Sequence, residues 1–194
     1  MTHKRSILAG AALLALTACG HSPQTRFYTL EPVPTASATT PAYDGPPLHL
    51  AALKIPSLFD RPEIARDTGA SEISVDEFSH WGAPLDVLLR SALQSDLAAG
   101  LPAGKFAPDV ASRQANTQDI SVSILSIRTA AGETAMDVAW TQTGKDARGA
   151  EMSRSHQAHL MAGAGTTPVA YSETLSVLMG QLALTIEQGV APPK

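Results

Sequence analysis

Residues 120–127 read ISVSILSI, a stretch in which apolar and serine side chains alternate with the period of a β-strand. The alternation holds from Ile120 to Ile124, and the apolar phase then shifts to Leu125 and Ile127. Such a shift predicts either a β-bulge or a strand that is buried on both faces. This strand opens the strand-rich half of the chain, so its neighbours decide the fold.

Two further strand patterns follow at short spacing. Met136, Val138 and Trp140 alternate with smaller or polar residues, and after a loop at residues 144–149 a returning strand places Met152, Ala158 and Leu160 on one face. Short connections join antiparallel neighbours, so the three patterns predict a β-meander.

Two amphipathic helices accompany these strands. The first has Pro84 in its first turn and ends at Gly100, and the second begins around Thr167 and Pro168, a pair that suits an N-cap and a first helical position. Apolar residues recur at helical spacing in both: Leu85, Leu88, Leu89, Ala92, Leu93 and Leu97, then Leu175, Leu178, Met179, Leu182 and Ile186. We expect these residues to form a core, with a lipid-binding groove between helices and sheet as the alternative.

Shorter strands precede the first helix. Residues 48–55 read as a strand closed by Pro56, and residues 62–76 read as a hairpin around a turn that contains Gly69. Residues 26–30, RFYTL, suggest an edge strand or an apolar piece of linker. Together the elements predict an α+β fold, with a mixed, largely antiparallel sheet and two long amphipathic helices packed on one face.

The N-terminus has the organisation of a bacterial lipoprotein signal peptide. Basic residues 4–5 precede an apolar run at residues 7–16, and Ala18 precedes Cys19, the single cysteine of the chain. The apolar run is shorter than the ~20 residues that a membrane-spanning helix needs. We therefore predict a signal peptide over residues 1–18, cleavage between Ala18 and Cys19, and lipidation of the Cys19 thiol.

The lipid anchor determines the rest of the predicted organisation. Residues 19–47 are a lipidated N-terminus and a tether rich in proline, alanine and threonine, and residues 48–194 are the globular domain. Gly20, rather than aspartate, follows Cys19, which favours the periplasmic face of the outer membrane. With one cysteine, no intramolecular disulfide can stabilise the domain.

Charge and motifs argue against several classes of function. The chain has 14 Lys+Arg and 18 Asp+Glu, a net charge of −4, which argues against nucleic-acid binding. His156 and His159 fall on opposite faces of a strand, so they could not share a metal ion. The glycines of residues 163–165 lack the lysine of a phosphate-binding loop, and no nucleophile elbow is present. We expect no enzymatic activity and no cofactor.

From about residue 26 to the C-terminus, the chain resembles the ABC-transport auxiliary lipoproteins of the PqiC (YmbA-like) type. Four segments carry this resemblance: residues 26–30 (RFYTL), 55–64 (IPSLFDRPEI), 81–85 (WGAPL) and the closing helix at 171–189. The chain departs from the family pattern at Glu63, where glutamine is common, and at Ala83, where an acidic residue is usual.

The resemblance implies a non-enzymatic auxiliary subunit of an MCE-type/ABC lipid transport system that supports envelope integrity. Its partners would be an MCE-domain protein and the outer membrane, and self-association into a homo-oligomer stays open. Two other functions share the anchor and the fold class: a periplasmic lipid-binding lipoprotein, and a factor for outer-membrane (lipopolysaccharide) assembly.

The most specific part of the resemblance supplies a partner-docking or structural motif: Asp60, Arg61, Pro62, Trp81, Pro84 and Leu85. In the structural interpretation, Asp60 caps backbone N–H groups of a turn in which Pro62 fixes φ. In the docking interpretation, Arg61 pairs with an acidic neighbour and orders a loop that meets the partner. Trp81 either plugs the junction between hairpin and helix or anchors an interface.

Overall fold

The computed structural model describes residues 23–33, 43–69, 71–146 and 148–190 of the chain. The predicted cleavage and lipidation residues, Ala18 and Cys19, therefore lie outside the described residues. In chain order the elements are β1 (Arg26–Tyr28), β2 (Leu48–Lys54), β3 (Glu63–Gly69), β4 (Glu72–Trp81), α1 (Leu85–Gly100), β5 (Gln118–Ala130), β6 (Glu133–Lys145), β7 (Glu151–Gly163) and α2 (Pro168–Val190). A 3-10 helix, Ser57–Phe59, links β2 to β3.

The described strands form one mixed sheet with β5 near its centre. The order is β1-β4-β3-β5-β6-β7, and β2 also pairs with β5. One edge of β5 is taken by β6, so β2 and β3 share the other edge, both parallel to β5. The predicted meander of β5, β6 and β7 is confirmed, as is the hairpin of β3 and β4.

The phase shift in the opening strand marks a β-bulge. The register between β5 and β6 shifts between Ile124 and Ser126, which leaves Leu125 unpaired and 56% exposed. On either side of the bulge, Ile124 and Ile127 are buried. The extra residue therefore keeps the apolar side chains of β5 on the covered face of the sheet.

Both helices pack on that face, as predicted. Leu89, Leu93 and Leu97 of α1 and Leu178 and Met179 of α2 are fully buried in one core with the sheet. Helix α2 is long and apolar enough to cross a membrane by length and composition alone, but most of its apolar stretch is buried inside the domain. The helices are thus core elements.

The helix boundaries follow local sequence signals. The Thr167 hydroxyl accepts a hydrogen bond from the Ala170 backbone N–H at 3.2 Å, so Thr167 caps α2 and Pro168 occupies its first position, as predicted. Helix α1 ends at Gly100. Pro84 precedes α1 rather than lying in its first turn, and its carbonyl accepts hydrogen bonds from Val87 and Leu88.

Residues 26–31 pack on the rest of the domain. Strand β1 pairs in parallel with the end of β4, which makes it the edge strand that the sequence suggested. Beyond it Leu30 is buried, and the Glu31 backbone N–H donates a hydrogen bond to Ser176 Oγ at 3.1 Å. The packed domain therefore includes residues that precede the globular boundary at residue 48.

Two carboxyl groups lie close together between α1 and α2. Asp96 of α1 is buried, and Glu187 of α2 packs against Gly100, where a side chain would collide with it. Burial raises the pKa of Asp96 to about 6, opposed by a hydrogen bond from the Val33 backbone N–H. Burial, with the nearby Asp96 charge, raises the pKa of Glu187 to about 7. Folding therefore shifts both groups toward the protonated form, so each binds its proton up to a higher pH than in the unfolded chain.

We expect the free energy of unfolding to fall as the pH rises from about 4 to about 7, because the folded chain then holds protons that the unfolded chain has released. Replacing Asp96 with asparagine removes one of these charges. At pH 8 this variant should be more stable than the native chain by on the order of 1–2 kcal/mol. Urea unfolding of both chains at pH 5 and pH 8 measures the difference, which should shrink at pH 5.

Asp86→Asn is the matched control, since Asp86 is an exposed carboxylate in the first turn of α1. A negative charge there interacts favourably with the helix dipole, so removing it should lower the free energy of unfolding slightly at pH 8. An Asp96→Asn chain that is less stable than the native chain at pH 8 would contradict the account of the buried pair.

Candidate functional site

Trp81 ends β4 at the point where the hairpin meets α1. Its side chain is 5% exposed, and its ring lies 6.4 Å from the ring of Tyr171 in α2. Its backbone N–H donates a hydrogen bond to the Pro62 carbonyl at 2.8 Å. Trp81 thus plugs the junction between hairpin and helix, in agreement with the structural interpretation of this residue.

All four segments that carry the family resemblance meet around Trp81. Tyr28 of β1 pairs with Trp81, and the Gly82 backbone N–H donates to the Tyr28 carbonyl at 2.7 Å. Pro62 and Tyr171 supply the contacts from the second and fourth segments. Four segments that are separate along the chain therefore form one cluster in the fold.

A small cavity of about 310 Å³, here called the Trp81 pocket, opens at the surface of this cluster. Six residues line it: Asp60, Arg61, Pro62, Trp81, Ala83 and Pro84. Five of the six motif residues predicted from the sequence are thus brought together, and Ala83 joins them. The sixth, Leu85, is buried in the core instead.

Charged groups stand at the rim of the Trp81 pocket. Arg61 Nε donates a hydrogen bond to Glu63 Oε2 at 3.0 Å, which is the acidic pairing that the docking interpretation expected. A hydrogen bond from its own backbone N–H, followed by the Arg61 guanidinium, lowers the pKa of Glu63. The Arg61 guanidinium is therefore held beside a carboxylate that stays charged.

The Asp60 turn is closed by the backbone. The Asp60 N–H donates to the Ser57 carbonyl at 3.1 Å, and the Arg61 N–H donates to the Phe59 carbonyl at 2.9 Å. The Asp60 carboxylate makes no hydrogen bond to the described residues, so the expected aspartate cap is not formed. Because the backbone already satisfies the turn, this exposed carboxylate is available to a partner.

Tyr171 is the residue of this cluster that the motif analysis missed. It is fully buried, its hydroxyl has no hydrogen-bond partner among the described residues, and burial raises its pKa. The Arg66 guanidinium carbon lies 5.9 Å from its ring centroid, and Arg66 Nη1 donates to the Thr166 carbonyl at 3.3 Å. Tyr171 lies four and seven positions before Leu175 and Leu178, and this helical spacing is the sequence signal that could have identified it as a core residue.

The histidines have separate surroundings. His156 stacks on Trp140 with ring centroids 3.9 Å apart, and His159 Nδ1 lies 2.7 Å from Asp137 Oδ1 on the other face, as their spacing predicted. Ser126 Oγ donates to the second Asp137 oxygen at 2.7 Å. Since Asp137 separates the hydroxyl from the imidazole, His159 cannot take the serine proton in the manner of a catalytic triad.

The chemistry of the Trp81 pocket suits binding rather than catalysis. Its walls are an indole, two prolines and an alanine, and its charged rim holds a guanidinium and a carboxylate. In the part of the chain that the structure describes, no group of three or more His, Cys, Asp or Glu residues could hold a metal ion. An apolar floor with a charged rim is the arrangement of a protein interface.

Comparison with solved structures reproduces the fold. A crystal structure of an uncharacterised protein superposes with a TM-score of 0.64 at 14% identity, covering 87% of this chain and all of that one. A protein from Xanthomonas campestris superposes with a TM-score of 0.58 at 12% identity, covering 86% of this chain and 95% of its own. At these identities the likeness concerns the fold alone. No curated protein matches the chain.

The family is shown by a sequence model. The model for the ABC-type transport auxiliary lipoprotein component matches residues 28–187, which is most of the chain and includes every residue that lines the Trp81 pocket. The match begins in β1 and ends in α2, so it includes the second and third segments of the resemblance in full and most of the first and fourth. The chain therefore belongs to the ABC-type transport auxiliary lipoprotein family.

Proposed function

We propose that this protein is the outer-membrane subunit of an MCE-type lipid transport system, anchored by a lipidated Cys19 and docked to the MCE-domain protein through the Trp81 pocket. In this role it carries out no reaction. It holds the partner at the periplasmic face of the outer membrane, where the transported lipid enters or leaves, and so supports envelope integrity.

The observation that supports this most strongly is the convergence of the four family segments around Trp81, beside a surface cavity that two of the segments line. A core needs Trp81 and Tyr171, but it does not need an open pocket with an unbonded carboxylate at its rim. The Trp81 pocket offers an indole for an apolar anchor and charged groups, Asp60 and Arg61, for hydrogen bonds around it. Such centres with polar rims carry most of the energy in protein interfaces.

The position of β1 adds a distance argument. Arg26 follows Cys19 by seven positions, which is at most about 25 Å of extended chain. Because β1 pairs with Trp81, a lipidated Cys19 keeps the Trp81 pocket close to the membrane surface. The proposal therefore places the docked partner at the membrane end of the passage.

Crosslinking in intact cells tests the proposal. A tagged full-length chain is crosslinked, purified under denaturing conditions and its adducts are identified by mass spectrometry. We expect an MCE-domain protein well above the level recovered with an unrelated outer-membrane lipoprotein. Recovery of outer-membrane assembly proteins alone, or of no specific partner, would overturn the transport role and favour the two other functions that share the anchor.

A further inference from the structure

A larger cavity, here called the amide cleft, lies where β5 begins and β6 ends. Its volume is about 650 Å³, within the range of small-molecule sites. It is defined here by four amide side chains and two arginines: Gln114, Asn116, Gln118, Gln142, Arg148 and Arg154. None of these residues belongs to the Trp81 pocket, and the proposed docking role does not use them.

The amides of Gln118 and Gln142 form a relay with a defined direction. Gln118 Nε2 donates to the Lys145 carbonyl at 2.8 Å, so Gln118 Oε1 is the acceptor that receives the Gln142 Nε2 hydrogen at 2.6 Å. Because the relay ends on a carbonyl, neither amide can be flipped without losing a hydrogen bond. Gly144, with a φ of +147°, makes room for Gln118, which a side chain there would crowd.

The relay leaves one buried acceptor without a donor. Gln142 is 2% exposed, and its Oε1 has no hydrogen-bond partner among the described residues. A buried amide oxygen without a donor costs free energy, and such groups in native proteins need an explanation. A ligand in the amide cleft that carries an N–H or O–H group would supply the missing donor and so explain the unpaired oxygen.

The cleft also contains two of the three described arginines whose guanidiniums have no hydrogen-bond or ion-pair partner among the described residues. Five of the eight described arginines are engaged with acidic side chains or backbone carbonyls: Arg61, Arg66, Arg90, Arg113 and Arg128. Of the other three, Arg148 and Arg154 line the amide cleft. Arg154 is the cross-strand partner of Gln142, so the two residues occupy neighbouring positions on β7 and β6.

Three other charged residues line the cleft: Asp44, which adds a carboxylate, and Asp146 and Lys105, whose side chains are hydrogen-bonded to the backbone. Asp146 Oδ1 accepts hydrogen bonds from the Arg148 and Ala150 backbone N–H groups at 2.8 and 2.9 Å. Lys105 Nζ donates to the Asp44 and Gly45 carbonyls at 3.1 and 2.7 Å. Asp146 and Lys105 therefore shape the walls, while the two guanidiniums and the Gln142 oxygen are left for a ligand.

We propose that the amide cleft binds a phosphate ester that carries a hydrogen-bond donor, either an ammonium or a hydroxyl group. The two guanidiniums hold the phosphate, for which their planar donor pattern is suited, and Gln142 Oε1 accepts from the donor. A phospholipid headgroup and a free phosphomonoester share this chemistry. The site does not depend on the docking function proposed above.

Two probes with the same phosphate and a cationic nitrogen, one with and one without a hydrogen-bond donor, test the role of Gln142. The full-length chain, purified in an uncharged maltoside detergent, is titrated with phosphoethanolamine and with phosphocholine by isothermal calorimetry. Both carry a phosphate and a cation, but the trimethylammonium group of phosphocholine cannot donate a hydrogen bond. We expect saturable binding of phosphoethanolamine, at least about fivefold tighter than that of phosphocholine. Equal affinities, or no saturable binding, would overturn the assignment.

Paired arginine variants test the phosphate contacts. Arg148→Ala with Arg154→Ala should weaken phosphoethanolamine binding by about tenfold or more. Arg113→Ala with Arg128→Ala removes the same charge from arginines that are paired with Asp119 and Asp67, and it should leave the affinity unchanged. Equal losses in both double variants would show a general charge effect and contradict the proposed site. Thermal unfolding checks that each variant is folded.

Competition with vesicles distinguishes the two sources of the ligand. Vesicles of phosphatidylcholine with added phosphatidylethanolamine are compared with vesicles of phosphatidylcholine alone for displacement of bound phosphoethanolamine. Displacement by the first kind only is the expected result for a lipid headgroup. If neither kind displaces the probe while the arginine variants still weaken it, the site is kept and its ligand is a soluble phosphate ester.

Discussion

Replacing Trp81 with alanine is expected to destabilise the domain by about 3–5 kcal/mol, because the change deletes a buried indole and leaves a cavity. The lost contacts include the Tyr171 ring, and the change also removes the floor of the Trp81 pocket. For a chain of this size the melting temperature should fall by about 6–20 °C. Thermal and urea unfolding of the full-length chain measure both quantities.

Phe27→Ala is the control for this prediction. Phe27 is an aromatic residue of β1 that is 69% exposed, next to the Tyr28 that pairs with Trp81. Its truncation should change the free energy of unfolding by no more than about 0.5 kcal/mol. If Trp81→Ala cost as little as Phe27→Ala, the tryptophan would not be part of the core and the structural account of the cluster would be wrong.

Replacing Cys19 with alanine should release the protein from the membrane, since the acyl chains are its proposed attachment. Each buried CH₂ contributes about 0.8 kcal/mol, so several chains on one cysteine make release negligible in the native protein. The variant is made in a chain whose residues 1–18 are exchanged for a non-lipoprotein signal peptide, so that export and cleavage continue. We expect a folded, soluble periplasmic domain in cell fractionation and loss of function in a deletion strain.

The matched control is Ser22→Ala, which keeps the thiol and should remain in the membrane fraction with full function. Full complementation of a deletion by the soluble Cys19→Ala chain would show that anchoring is not part of the mechanism. Continued membrane attachment of that chain would show that Cys19 is not the attachment site.

Local features of the fold could be predicted because neighbouring residues determine them. The phase shift at Leu125 marks a bulge since side chains in a strand alternate with period two. Thr167 and Pro168 mark the start of α2 because a hydroxyl can satisfy its free N–H groups and proline suits its first position. These signals need no knowledge of the rest of the chain.

The pairing of distant strands could not be predicted in the same way. Strands β2 and β5 pair in parallel across the whole of the hairpin and α1, and β1 pairs in parallel with β4. Parallel pairs have no connecting turn that sets their register, so the core as a whole selects it. The sequence therefore indicated the strands and the class of the sheet, and left its order open.

The two cavities differ in how far they could be predicted, again because one depends on sequence segments and the other on strand pairing. The residues of the Trp81 pocket could be predicted because the resemblance groups them into ordered segments. The geometry of the pocket and the unbonded Asp60 carboxylate could be seen only in the structure. The amide cleft had no such signal, since Gln118, Gln142 and Arg154 are spread over three strands and carry no motif. Only the register of β5, β6 and β7 brings them together.

Photo-crosslinking from inside the Trp81 pocket tests the docking surface most directly. A benzophenone amino acid is placed at Ala83, which lines the pocket, and in a separate chain at Ser153, an exposed position on the edge strand β7. The account predicts that irradiation of intact cells yields an adduct with an MCE-domain protein from position 83 and little or none from position 153. An MCE adduct from position 153 alone, or equal adducts from both positions, would contradict the assignment of the Trp81 pocket as the docking site.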